Sequence, residues 1–139
     1  MKSPLLLFAL KCTVILYFAA CSGIGDYKTA VSATPLVTKG AWKVDLYMDA
    51  NKDQTNDFVG YAFTFGPEGE IKARKNGKEI TGYWSEDNIS KRITINLHTK
   101  DPILKKLNDN WDISAITKAG VILQNNQNPA YGRLQITSL

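Results

Sequence analysis

From Gly40 onward, apolar and polar residues alternate with a period of two. Trp42, Val44, Leu46 and Met48 alternate with Lys43, Asp45 and Tyr47, which is the pattern of a strand with one face buried. Val59, Tyr61, Phe63 and Phe65 alternate with Gly60, Ala62 and Thr64 in a second run. Asn76-Gly77 predicts a two-residue hairpin with a primed turn. That turn sets a register in which Arg74 faces Glu79, Ala73 faces Ile80 and Ile71 faces Gly82. Apolar residues then share one face and an opposite-charge pair lies on the other, an arrangement a one-residue slip would destroy. Ile93, Ile95 and Leu97 give the next strand, then Trp111, Ile113 and Ala115, then Val121 to Leu123, then Leu134 and Ile136. Between two of them, Asp101 to Leu107 predicts one or two helical turns, with Asp101 as the cap and Pro102 at the first position. Seven or eight short strands joined mainly by short turns predict an antiparallel sandwich or barrel.

Before Gly40 the pattern changes. A short basic head, Met1 to Ser3, precedes a mostly apolar run from Pro4 to Ala20, and the chain then turns small and polar. This is the layout of a secretory signal. A spanning helix needs ~20 unbroken apolar residues, and Lys11 interrupts this run. Phe18-Ala19-Ala20-Cys21 resembles the lipobox of bacterial lipoproteins. The resemblance implies cleavage before Cys21 and acylation of its sulfur and its new amino group. The chain then divides into a signal peptide (1–20), an acylated cysteine with a flexible tether (21–37) and a barrel domain (38–139). More than one acyl chain makes a membrane anchor stable. In the lipoprotein families this resembles, Asp after the cysteine retains the protein in the inner membrane, so the resemblance with Ser22 implies the outer membrane, facing the periplasm. The lack of an acidic run after Cys21 argues against display on the cell surface. No run after residue 21 is apolar enough to form a spanning helix.

A second resemblance rests on an ordered series of motifs. Gly40-Ala41-Trp42 opens the first strand, followed by Asp49 to Phe58, Gly60 to Phe65, Gly82-Tyr83-Trp84 and Asn110 to Ile113. The series resembles the small lipocalin-like domain of bacterial lipoproteins. Its signature residues here are Gly40, Trp42, Gly82 and Trp84. The resemblance implies an all-β, antiparallel up-and-down barrel of about eight strands that binds or carries a small apolar molecule. In such a barrel the 49–57 loop, Asn76-Gly77, the 99–108 segment and the 125–130 loop share one end, the mouth. Inward residues near these connections are Met48, Tyr61, Ala73, Ile80, Leu97 and Trp111, the expected ligand contacts, with Ile103 and Leu104 as a lid. The inward aromatic rings read first as packed core, since small eight-stranded barrels are filled by side chains, and the resemblance raises the other reading, the lining of an apolar pocket. A packed barrel acting as a structural or protein-interaction module of the cell envelope is therefore the alternative.

Composition narrows the chemistry. The loss of Lys2 and Lys11 with the signal leaves 15 basic and 13 acidic residues among the 119 that follow, a net charge of +2. That balance does not argue for nucleic acid. Cys21 would be the only remaining cysteine, so no internal disulfide is expected. His98 stands alone at a strand end and reads as a surface residue. Glu68/Glu70 and Glu86/Asp87 read as solvated carboxylates in turns. No nucleophile motif, phosphate loop or cofactor motif is found, so no enzyme and no cofactor is expected. In the 49–57 loop, Asp49, Asn51, Asp53, Thr55 and Asp57 resemble a calcium loop, but Gln54 and Gly60 replace its glycine and its bidentate glutamate. A polar turn is the simpler reading. Lys72, Arg74, Lys75 and Lys78 cluster at the hairpin, and they read as a solvated face or a contact for anionic headgroups. The sequence identifies no protein partner.

Overall fold

The computed structural model describes residues 32–125, 127 and 132–139. The signal, Cys21 and the first part of the tether lie outside these residues. The elements are α1 (Thr34–Val37), β1 (Trp42–Asp49), β2 (Lys52–Asp53), a 3₁₀ turn (Thr55–Phe58), β3 (Ala62–Phe65), β4 (Glu70–Lys75), β5 (Lys78–Asp87), β6 (Arg92–Leu97), α2 (Pro102–Lys105), β7 (Asp109–Ile116), β8 (Gly120–Asn125) and β9 (Gly132–Ser138). Every strand pairs antiparallel with its neighbour, and β9 returns to pair with β1, so that β1 and β3 to β9 close an eight-stranded barrel. The all-β up-and-down architecture expected from the motifs is the one found.

The hairpin forms in the predicted register, with Arg74 opposite Glu79, Ala73 opposite Ile80 and Ile71 opposite Gly82. Asn76 and Gly77 both have positive φ, 51° and 73°, as a type I′ turn requires. Arg74 donates to the Glu79 carboxylate on the outer face. Gly82 is needed for a different reason. A Cβ there would fall on the Asn96 carbonyl oxygen of β6, so only glycine lets the two strands approach.

Closure is uneven. β1 and β9 share seven residue pairs, whereas β1 and β3 share one, Trp42 with Phe63. Past that pair the two strands diverge, and β2 with the 3₁₀ turn fills the gap. The Tyr47 amide donates to Thr55 Oγ1 at 2.9 Å, and the Gln54 amide donates to the Tyr47 carbonyl at 2.9 Å. The turn drives Phe58 into the core, where it is 2% exposed and its ring lies 5.0 Å from that of Tyr47.

The interior is filled. Trp42, Phe63, Ile71, Ala73, Ile93, Leu97, Trp111, Val121, Leu123 and Leu134 are all 2% exposed or less. The alternation predicted for β1 fails at its centre. A bulge between Val44 and Leu46 adds one residue, which swaps the faces beyond it. Tyr47 therefore points inward and is buried, whereas Met48, expected inward, is only half-buried. A second bulge between Ile113 and Ala115 does the same to the end of β7, and Ala115 is half-buried.

Residues 32–37, assigned to the tether by their composition, form part of the fold. Pro35 lies in the first turn of α1, and Ala33 and Val37 are 0% exposed. The Trp42 indole donates to the Val37 carbonyl at 2.7 Å. This short segment plugs the end of the barrel at which β1 begins. No helix among the described residues is long and apolar enough to cross a membrane.

Candidate functional site

The connections expected to share one end are brought together there by side chains. Tyr61 Oη donates to Asp101 Oδ2 at 2.8 Å, which ties the entry to β3 to the segment before α2. Lys106 Nζ reaches Gln54 Oε1 and Asp57 Oδ2, each at 2.7 Å, which ties the end of α2 to the 3₁₀ turn. Tyr47 Oη donates to the Lys106 carbonyl at 3.2 Å. Burial, then the charges of Asp49 and Asp109, push the Tyr47 phenol up to about 12, so it remains a neutral donor at physiological pH. Of the 125–130 loop, only residues 125 and 127 are described.

At this end, between the hairpin and α2, a pocket of about 290 Å³ opens to solvent. Its lining is Tyr61, Ala73, Lys75, Asn76, Lys78, Ile80 and Asp101. Three residues predicted as ligand contacts, Tyr61, Ala73 and Ile80, thus converge. Their apolar surfaces share the pocket with two lysines of the hairpin cluster. Lys75 Nζ sits 4.6 Å from the centroid of the Tyr61 ring, a cation–π contact that holds the ammonium over the apolar lining. Asp101 caps α2 by accepting from the Ile103 amide at 2.8 Å. That bond, with the one from Tyr61, holds its carboxyl below the usual carboxylate range. Burial, with the hydrogen bond to Asp101, in turn raises the Tyr61 phenol.

The other predicted contacts lie elsewhere. Leu97 and Trp111 are 2% and 1% exposed and belong to the core, because α2 and the residues after it close over them. Trp111 donates its indole N–H to the Leu107 carbonyl at 2.9 Å. Met48 is turned aside by the β1 bulge. Ile103 packs partly buried against the core. Leu104, expected in a lid, is 0% exposed and acts as a plug, held by the Asp101 cap in front and the Lys106 contacts behind. Among the described residues, depressions of about 250, 340 and 350 Å³ also open to solvent on the barrel surface.

In the 49–57 loop the Asp53 and Asp57 carboxylates are already engaged. Ala50 and Asn51, at φ 48° and 60°, turn β1 into β2. Asp53 Oδ1 accepts from both the amide and the hydroxyl of Thr55, at 2.9 and 2.6 Å. Asp57 is paired with Lys106 at 2.7 Å. Among the described residues, no group of three or more histidine, cysteine or acidic side chains is placed to hold a metal. Millimolar calcium should leave the melting temperature unchanged; a rise of several degrees, lost in Asp53→Ala, would restore the calcium reading.

At the closed end, Glu86 does something its sequence context does not announce. It is part of β5, and its carboxylate accepts from Ser32 Oγ at 2.7 Å, the Ala33 amide at 2.7 Å, the Thr34 amide at 2.8 Å and the Thr34 hydroxyl. Burial raises its pKa, but these hydrogen bonds from Thr34, Ala33 and Ser32 outweigh it, and the net shift is downward. A lowered folded value means the clamp is fully formed above the ordinary glutamate range and is lost as pH falls through the folded value. Acidification should therefore release residues 32–37 before the barrel melts, and Glu86→Gln should remove that acid step. Proteolysis of the N-terminal segment across pH 3 to 7 reads this directly, and identical profiles for the two proteins would count against the clamp.

No family model matches the chain, and no curated protein sequence does. Among solved structures, the barrel is similar to a DUF4847 family protein from Bacteroides vulgatus, with a TM-score of 0.60 and 13% identity over 78% of this chain and 98% of that one. It is also similar to a lipocalin-like protein from Bacteroides uniformis, with a TM-score of 0.53 and 14% identity over 73% of this chain and 98% of that one. At these identities the likeness is one of fold, and the fold is lipocalin-like.

Proposed function

We propose that this chain is a lipid-anchored protein of the bacterial cell envelope that binds a small, partly apolar ligand at the mouth of a filled barrel, without catalysis. Acylated Cys21 holds it on the outer membrane, facing the periplasm. The observation that carries the binding role is the pocket of about 290 Å³, where Tyr61, Ala73 and Ile80 meet Lys75 and Lys78. Its size is near the ~300 Å³ at which ligand pockets begin. Its chemistry is divided: an apolar group lies against Ala73, Ile80 and the Tyr61 ring, and an anionic or polar end meets the lysines. The filled interior moves the guest from the barrel axis to the rim. A fluorescent fatty acid is the probe. The wild-type chain should take it up with micromolar affinity, and Ile80→Glu should weaken uptake at least tenfold, the effect of ~1.4 kcal/mol. Should neither protein bind the probe, the mouth-pocket reading fails. The second reading then stands, that of a packed interaction module of the envelope, and the fully packed core favours it.

A further inference from the structure

We infer that the closed end of the barrel docks against the lipid bilayer that holds the anchor, with Ile89 entering the interfacial layer. The inference rests on the lipid-anchored part of the reading above and is independent of the mouth pocket. Ile89 is 96% exposed, more than Leu139 at 69% or Val59 and Tyr83 at 65% each. It stands at the tip of the β5–β6 turn, which is closed by its own hydrogen bonds. Asp87 Oδ1 accepts from the Ile89 amide at 2.8 Å and the Ser90 amide at 3.2 Å, and Lys91 completes the turn at φ 57°. The side chain is thus held away from the barrel. A single exposed isoleucine is ordinary on a protein surface; the position of this one is not. The chain joins the barrel at Glu86, three residues before Ile89, through the hydrogen bonds of Ser32, Ala33 and Thr34. Only residues 22–31 separate Ser32 from Cys21, and ten residues reach at most ~35 Å when fully extended. An anchor at Cys21 therefore keeps the Ile89 turn within a short span of the lipid, at a high effective concentration.

Three more residues fit the same end of the barrel. Leu139, whose amide donates to the Ala41 carbonyl at 2.9 Å, presents a second exposed apolar side chain at the closed end. Lys39, which follows α1, and Lys118, in the β7–β8 turn, are exposed there. Glu68, in the turn before β4, and Asp87, in the Ile89 turn, offset this charge, so the contact is mainly apolar and should persist in zwitterionic lipid. Val59 lies near the opposite end, next to the 3₁₀ turn, and serves as the reference position.

The test uses the full acylated chain in phosphatidylcholine vesicles. Cys12 leaves with the signal and the Cys21 sulfur is acylated, so a cysteine introduced at Leu139→Cys or Val59→Cys takes an environment-sensitive dye selectively. Quenchers attached to the lipid tails near the headgroups should dim the dye at 139 severalfold more than the dye at 59. Adding Ile89→Asp to the Leu139→Cys protein should bring its quenching down to the level seen at 59, while flotation with the vesicles stays complete. Equal quenching at 59 and 139 in a protein that floats overturns the docking and leaves the anchor intact. A protein that does not float overturns the anchor, and the docking with it.

Discussion

Trp111→Ala should destabilise the barrel by roughly 3–5 kcal/mol, the range for removing a buried tryptophan. Trp111 is 1% exposed, stands edge-on to Tyr47 with centroids 6.4 Å apart, and donates to the Leu107 carbonyl. Its removal opens a cavity under the segment that follows α2 and leaves a carbonyl without its donor, and both effects add to the lost burial. With total stabilities of order 5–15 kcal/mol for a domain of this kind, such a loss is a large part of the whole. Denaturant unfolding should show a much lower midpoint with an unchanged slope. Met48→Ala is the matched control. The sequence pattern places Met48, like Trp111, among the inward residues, but the β1 bulge leaves it half-buried. It should cost under about 1 kcal/mol, since large effects need a named mechanism such as a core cavity. Equal losses for the two variants would mean that the bulge is misplaced.

Cys21→Ala should move the protein from the detergent phase to the aqueous phase almost completely, or leave it as an uncleaved precursor. Each buried methylene of an acyl chain contributes ~0.8 kcal/mol to membrane affinity, and two or three chains on one residue make the attachment persistent. No other feature of the proposal replaces that energy, since the Ile89 contact is a single side chain. Mass spectrometry of the wild-type protein should show a mature chain starting at Cys21 and carrying acyl mass. Membrane fractionation unchanged by the substitution would remove the lipoprotein reading.

The parts of this fold that the sequence announces are those in which two local signals agree. At Asn76-Gly77 the turn chemistry and the alternation on either side require the same register, and that register is present. Asp101-Pro102 is read correctly as a helix start because both the cap and the first position carry their usual residues. The β1 bulge has no such mark. Nothing in Val44-Asp45-Leu46 distinguishes an eight-residue strand with one extra residue from one without it, so Tyr47 and Met48 are assigned to the wrong faces. Residues 32–37 are too few to show a period, although Thr34-Pro35 is itself a helix-start signal. Glu86 was unreadable for a different reason: its partners are 52 to 54 residues away in the chain. The mouth pocket was half legible. Tyr61, Ala73 and Ile80 follow from alternation next to the hairpin, but which inward residues stay open depends on how deeply α2 settles, and periodicity does not record that depth.

The single pair between β1 and β3 has a dynamic consequence. Every other seam among the described strands is a ladder, so this seam is the one expected to open first. β1 is stitched to β9 by seven pairs and would swing with it, and the 3₁₀ turn would lift Phe58 out of the core as it went. Such sub-global openings lie below the free energy of full unfolding. Amide hydrogen exchange should therefore be fastest, among the strands, along β3 and the facing edge of β1, and slowest across β4, β5 and β6. The same excursion would bring Trp42 and Phe63 into contact with solvent while the other ladders stay intact. A barrel that is full at rest would then have a hinged wall, and its interior would be reached through that wall.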